Sequence, residues 1–230
     1  VSFTAKQGEV TALVGPSGGG KTTVSRLAAR FWDVSRGKIT VGGMDVSKVD
    51  PETLLSLYSI VFQDVTLFDN TILENIRIGN KDATDEEVVE AAKAAYVHRF
   101  VQTLSHGYDT ELNEEATNIS QGQKQLLTIA RVVIADPKFL ILDEATAFAD
   151  PDNEAKVQQA INELAKDKTV IMIAHRLSTI ANADKIYLLE NGKIAESGTN
   201  DELVAKGGIY AKMMKNYVLS VNWKISKEGK

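Results

Sequence analysis

The stretch Val10-Thr11-Ala12-Leu13-Val14-Gly15-Pro16-Ser17-Gly18-Gly19-Gly20-Lys21-Thr22-Thr23 decides the fold. Its first five residues are a short apolar, β-prone run that reads as a buried strand. Gly15 to Thr22 then match the pattern G-x-x-x-x-G-K-[ST] of a phosphate-binding loop. Residues 21–30 carry helix formers, with Val24, Leu27 and Ala28 at helical spacing. A loop that wraps a polyphosphate with backbone N–H groups needs glycines, here Gly15, Gly18, Gly19 and Gly20, for unusual dihedrals and close approach. The helix that follows points its positive end at the anion. Lys21 supplies a point charge to the β- and γ-phosphates, and the Thr22 hydroxyl is a ligand for Mg²⁺. The competing reading is a flexible glycine turn. From average residue usage the pattern arises by chance in roughly one chain of this size in a hundred, and the strand–loop–helix context favours the phosphate reading.

Composition sets the frame around this loop. With 230 residues, 43% hydrophobic and 25% charged, the chain fits one globular domain, or one domain with a substantial inserted lobe. A net charge of −5 argues against broad electrostatic binding of nucleic acid, which needs a basic face. Without cysteine there is no disulfide, thiolate metal site or thiol nucleophile, and a reducing, ATP-rich cytoplasm fits. No segment approaches the ~20 consecutive apolar residues of a membrane helix, and Lys6 and Glu9 break the apolar start that a signal peptide would need. Val1-Ser2-Phe3 reads as a strand, and a start at Val1 is expected of a piece cut from a longer polypeptide.

Further along, residues 38–41 and 58–62 read as strands, with Pro51 beginning a short helix between them. From about residue 70 to 135 the character is helical. Asp85-Glu86-Glu87 opens one amphipathic helix, and Ser120 is an N-cap for another that runs through Gln125, Leu126, Ile129 and Val133 to a stop at Pro137. Strands at 139–142, 169–174 and 185–189 then alternate with helices, which implies a parallel sheet with helices on both faces. Glu190-Asn191-Gly192-Lys193 signals a hairpin, and the stretch from Gly208 is amphipathic and helical. Asp143 and Glu144 end the run Leu140-Ile141-Leu142, and neighbouring strand residues point opposite ways. Two adjacent carboxylates can therefore divide the work, Asp143 ordering the Mg²⁺ shell and Glu144 activating water.

Ile119-Ser120-Gln121-Gly122-Gln123-Lys124-Gln125 resembles the signature segment, usually L-S-G-G-Q, of ATP-binding cassette (ABC) ATPases. The resemblance covers residues 1 to about 217 and implies an α/β fold: a P-loop NTPase core with a mainly parallel sheet, a small antiparallel part and an inserted helical lobe. It divides one nucleotide-binding domain, 1–230, into a core lobe (about 1–64 and 137–207), a helical lobe (about 65–136) and a helical tail (about 208–230). It implies an ATPase that uses ATP and Mg²⁺, with two ATPs sandwiched in a head-to-tail dimer. Gly15, Pro16, Ser17, Gly18, Gly19, Gly20, Lys21, Thr22 and Thr23 would hold one nucleotide, while Ser120, Gln121, Gly122 and Gln123 would face the γ-phosphate bound to the other subunit. A serine hydroxyl and glycine N–H at a helix N-terminus form an anion site that is incomplete alone. By the same resemblance Gln63 matches the Q-loop glutamine, touching Mg²⁺ and water, and His175 matches the switch histidine at the γ-phosphate. Asp150 matches the D-loop aspartate that communicates across the dimer. The catalytic set is thus Glu144, His175, Gln63 and Lys21, and the metal set Thr22, Gln63 and Asp143. His98 and His106 match nothing and read as surface or packing residues.

Val61-Phe62-Gln63-Asp64, Leu67-Phe68, Thr71-Ile72, Asn75-Ile76 and Arg176-Leu177-Ser178-Thr179 resemble the exporter-fold branch, in which the ATPase is fused behind a membrane domain. The implied partners are a second ABC subunit and a transmembrane domain on the same full-length chain, with the ATPase at the cytoplasmic face of the membrane. The other readings are a soluble ABC ATPase of DNA repair or translation, and a nucleotide sensor without turnover. The first carries coiled-coil insertions or tandem cassettes, absent from this sequence, and the second commonly loses residues such as Glu144 and His175. The chain departs from the family pattern at Ile119 and Gln121 in the signature, at Thr146-Ala147-Phe148-Ala149-Asp150 in the D-loop, and at Leu112-Asn113-Glu114-Glu115. The last replaces a glycine-containing segment that often contacts membrane-domain helices.

The family stacks adenine on an aromatic residue placed upstream of Val1. Stacking contributes on the order of 1–3 kcal/mol by analogy with base stacking elsewhere, so this chain is expected to bind ATP more weakly than one extended at its N-terminus. Titrating both with ATP checks this, and equal affinities refute it.

Overall fold

β-Branched and aliphatic runs become the strands of a central six-stranded sheet of order β10-β9-β1-β8-β7-β4. A computed structural model describes residues 1–62, 65–113, 116–143, 151–173 and 180–217, with the backbone alone at 151–154. The strands are β1 (Val10–Val14), β4 (Tyr58–Val61), β7 (Phe139–Asp143), β8 (Thr169–Ile173), β9 (Lys185–Glu190) and β10 (Lys193–Gly198). All adjacent pairs are parallel except β9 with β10. Asn191 and Gly192 both have positive φ, 50° and 70°, which is what a two-residue hairpin turn needs to match the strand twist. Two small antiparallel pairs stand apart: β2 (Thr40–Val41) with β3 (Met44–Asp45), and β5 (Asn70–Thr71) with β6 (Glu111–Leu112).

Alternation along β1 divides the core. Ala12 and Val14 join a cluster with Leu126 and Ala130 of α6 (Gln121–Ala135) and Ile161 of α7 (Pro151–Ala165). Leu13 points to the other face, with Ile173, Leu189 and Val24 of α1 (Lys21–Ala28). Period-two alternation on a sheet covered from both sides produces this split. The sheet therefore carries helices on both faces, as the sequence pattern implies.

Helices α3 (Ile72–Arg77), α4 (Asp85–Ala94), α5 (His98–Val101) and α6 lie in the chain between β4 and β7, which are neighbours in the sheet. They are thus a helical insertion between adjacent strands, and β5 and β6 lie within it. Ile72, Ile76, Val88 and Ala92 belong to the same cluster as Ala12 and Leu140, so one continuous apolar core joins the insertion to the sheet. Local caps fix the helix starts. Thr84 and Ser120 both make capping boxes, with Glu87 and Gln123, while Asp50 caps α2 (Pro51–Ser56), where Pro51 takes the first position. α6 ends where Asp136 turns left-handed at φ 42°, just before Pro137.

Three expectations need correction. Residues 1–3 form no strand; Phe3 instead rests against the Tyr187 ring, centroids 5.1 Å apart. The strand expected at 38–41 is only Thr40–Val41, and α1 stops at Ala28 rather than residue 30. Arg30 is left-handed at φ 57° and donates to the carbonyls of Val46, Ser47 and Val49, contacts that a continued helix would forbid. The helical stretch expected from Gly208 is a helix over 209–217, preceded by α8 (Asn200–Lys206).

Close packing of α3's end on α6 generates a prediction. A Cβ on Gly79 would sit 2.0 Å from the Arg131 carbonyl oxygen and 2.7 Å from Ile134 Cγ2. Gly79→Ala is expected to destabilise the chain by about 1–3 kcal/mol through overpacking, read as a lower urea midpoint.

Candidate nucleotide site

In a parallel sheet, consecutive strands deliver their carboxyl ends to one edge, where open α/β folds bind ligands. Here that edge gathers the ends of β1, β8, β7 and β4. Leu13 is level with Ile173, Ile173 with Asp143, and Leu142 with Val61. β1 runs directly into Gly15, and Asp143, only 6% exposed, closes β7. Val61, Asp143 and Ile173 also lie immediately or nearly before Gln63, Glu144 and His175 in the sequence. Those three residues, with Asp150, lie outside the described residues.

The glycine loop has a shape fixed by the end of β9. Gly15 is at φ 139°, Gly18 at 77° and Gly20 at 97°, conformations that a side chain would strain. A Cβ on Gly15 would meet the Leu189 carbonyl oxygen at 2.1 Å, and one on Gly19 would meet the same atom at 2.9 Å. Gly18, by contrast, has nothing within 4 Å of its Cβ position and is exposed, together with Pro16 and Ser17. One side of the loop is pressed onto the sheet and the other is open to a ligand.

Lys21 is 4% exposed, and its Nζ donates to the carbonyls of Gly15 and Pro16, both at 3.0 Å. The ammonium thus spans the loop and neutralises carbonyl dipoles inside it. Gly20 stands at the N-cap of α1 in a left-handed conformation and offers no side-chain cap. Thr22 is half-buried and Thr23 exposed on the first turn. The donor set of a hydroxyl, Thr22, and a carboxylate, Asp143, consists of hard oxygens of the kind Mg²⁺ prefers.

The second constellation opens α6. Ser120 Oγ accepts from Gln123 N at 3.2 Å, and Ser120 N donates to Gln123 Oε1 at 2.8 Å. Gln123 is therefore occupied in building the helix start. The capping bond uses a lone pair of Ser120, and a hydroxyl also has a hydrogen to donate, so capping is compatible with contact to an anion. Ser120 and Gln121 are exposed, whereas Gly122 is buried.

One buried residue on this helix carries more than the helical position that its spacing gives it. Gln125 is 0% exposed, and among the described residues neither its Oε1 nor its Nε2 has a hydrogen-bond partner. A glutamine at an apolar helical spacing carries no sequence mark of such isolation. His98 accepts or donates at Nδ1 to the Tyr108 hydroxyl, 2.8 Å away, and His106 is exposed, so both have the structural character expected. Among the described residues no cluster of three His, Cys, Asp or Glu could hold a metal, and no helix is long and apolar enough to cross a membrane.

A parallel α/β sheet with a glycine loop, buried lysine and strand-end carboxylate defines a P-loop nucleotide-binding domain. The family model of ABC transporters matches residues 1–147, and the chain belongs to that family. It is 47% identical over 215 residues to an uncharacterized ABC transporter ATP-binding protein of Bacillus subtilis, covering 94% of this chain and 36% of that protein. It is 48% identical over 210 residues to a putative multidrug export ATP-binding/permease protein of Staphylococcus aureus, covering 91% of this chain and 36% of the relative. A solved structure of a bacterial Atm1-family ABC exporter with ATP bound matches with a TM-score of 0.88 at 41% identity, over 94% of this chain and 38% of that one. The chain thus spans about a third of the length of these curated relatives.

Burying an unsatisfied amide costs about 1–3 kcal/mol. Gln125→Leu, which keeps the volume and removes the polar atoms, is expected to raise stability by about 1–2 kcal/mol, seen as a higher melting temperature.

Proposed function

We propose that this chain is the motor domain of an ABC exporter, hydrolysing two Mg-ATP at a head-to-tail dimer interface and driving a membrane domain. The observation that supports it most is the convergence at one sheet edge of the Lys21-filled glycine loop and the Asp143 carboxylate. The exporter assignment draws on the printed descriptions of the export relative and the exporter structure. A division into a core lobe and a helical lobe fits the insertion between β4 and β7.

In this reading the backbone of residues 15–20 and the N-terminus of α1 bind the phosphates, and Lys21 turns its charge to their β- and γ-oxygens. Thr22, Asp143 and Gln63 would hold Mg²⁺, which neutralises charge on the β- and γ-phosphate oxygens when bound. Gln63 orients the attacking water. Glu144 accepts its proton, and His175 holds the γ-phosphate during in-line displacement. Ser120 and Gly122 of a second copy, or of a related subunit, complete the site from across the interface, and Asp150 links the two sites. The membrane partner belongs to the same full-length chain, which places the ATPase at the cytoplasmic face of the membrane. No nucleic acid takes part.

Mg-ATPase rate against protein concentration tests this, with Glu144→Gln as the control. The expected result is a rate rising more steeply than linearly, abolished in the variant while ATP-dependent dimers accumulate. Linear turnover with no dimer in the variant refutes the paired-site motor.

A further inference from the structure

The hairpin between β9 and β10 meets the glycine loop at one peptide. Glu190 and Lys193 face each other across the ladder, so Asn191 and Gly192 form a two-residue turn whose own N–H groups lie outside it. Gly192 spends its N–H on the loop, donating to the carbonyl of Gly19 at 3.3 Å. The same hairpin approaches this peptide twice more. A Cβ on Gly19 would stand 2.9 Å from the Leu189 carbonyl oxygen, and one on Gly20 would stand 3.9 Å from Gly192 Cα. Gly19 is buried and Gly20 half-buried.

The Gly19–Gly20 peptide is one that needs holding. In a trans peptide the carbonyl of one residue and the N–H of the next point in opposite directions. A Gly19 carbonyl turned to the hairpin therefore aims the Gly20 N–H away from it, to the open side of the loop. A flip of the peptide plane would exchange the two and turn a carbonyl dipole toward an anion. Such a flip meets least resistance where neither flanking residue has a Cβ, and both are glycine here. The preceding peptide also lies between two glycines, but it is held within the loop, where Gly19 N donates to the Pro16 carbonyl at 3.1 Å. The Gly19 carbonyl is held from outside, by Gly192. A second turn of the same kind shows that this contact is additional to what a hairpin requires. Gly42 and Gly43 join β2 to β3 at φ 57° and 83°, and a Cβ on either would have nothing within 4 Å.

We propose that the Asn191-Gly192 turn is a positioning element for nucleotide, in which the Gly192 N–H locks the Gly19–Gly20 peptide with the Gly20 N–H toward the phosphates. The inference rests on the functional reading above, which puts phosphate in this loop. Without the lock the peptide populates its flipped form. ATP then binds only the unflipped fraction, and its apparent affinity falls in proportion.

Replacing Gly192 by glycolic acid, through in-vitro translation, exchanges the amide N–H for an ester oxygen and leaves every side chain in place. The same exchange at Gly43 is the control. Mg-ATP affinity is measured by calorimetry well below the melting transition, and the loop amides are followed by NMR with isotope-labelled glycine. In wild type, ATP is expected to move the loop glycine resonances, with the Gly20 N–H shifting downfield. The Gly192 ester is expected to bind ATP roughly three- to tenfold more weakly, the range that loss of one hydrogen bond gives. Its Gly20 resonance broadens or splits without nucleotide, while the Gly43 ester keeps wild-type affinity. A merely structural contact would lower the melting temperature of the Gly192 ester and leave both ATP affinity and the Gly20 resonance as in wild type; that result overturns the proposal. An equal loss of affinity in the two esters overturns it as well. No ATP-induced change at the loop glycines in wild type would instead refute the functional reading and take this inference with it.

Discussion

The contact on which the rest of the structure depends is that between the glycine loop and the Leu189 carbonyl at the end of β9. Gly15 and Gly19 approach that oxygen so closely that a Cβ on either would collide with it, and Gly192 N donates to the Gly19 carbonyl at 3.3 Å. The loop is therefore shaped by the sheet before any nucleotide arrives. Lys21, tied to Gly15 and Pro16, closes the ring from inside. A site whose form is set in advance spends less binding energy on ordering itself.

That contact also explains the order of strands. For Leu189 to lie under Gly15, β9 must flank β1, and it does so in parallel register, Val14 level with Leu188. β8 occupies the opposite side of β1 and β7 follows, which brings Asp143 to the same edge two strands away. The helical insertion leaves β4 at this edge and, because β4 and β7 are parallel, rejoins the sheet at the opposite edge, where β7 begins. Because Ile72 and Val88 share one apolar cluster with Ala12 and Leu142, motion in the insertion is bound to the sheet through close-packed contacts, which transmit strain rather than absorb it.

Sequence alone discloses those features whose causes are local. The loop, the Asn191-Gly192 hairpin, the Ser120 cap and the Pro51 start each need residue types that only a few conformations use, and each lies where the pattern puts it. The failures share a different cause. Residues 1–3 have the composition of a strand, but β1 is already flanked by β8 and β9, and Phe3 finds its burial against Tyr187 instead. α1 ends early because Arg30 is recruited by carbonyls some 16 to 19 positions away. Arg131 reaches 65 residues back to Thr66, and Gln125 is isolated by neighbours that no periodicity names. The buried polar groups that matter most here are tertiary facts, and a helical pattern records them only as positions.

The two helix starts that the proposed reading turns toward phosphate are built differently, and the difference bears on the order of events. α6 begins with a reciprocal box in which Ser120 and Gln123 satisfy each other's orphan groups, so this end is stable without a ligand. α1 begins at a left-handed glycine with no side-chain cap, so no capping side chain competes with an anion at its start. The electrostatic demand for phosphate is therefore greater at α1 than at α6 within one chain. On the proposed reading, nucleotide settles first on its own glycine loop. Ser120 of the partner then adds a donor hydrogen without surrendering its cap. A signature that had to break its own cap to bind would lose about 1 kcal/mol at each closure. Here the cap uses a lone pair and the phosphate contact a hydrogen, so the helix start can serve both at once.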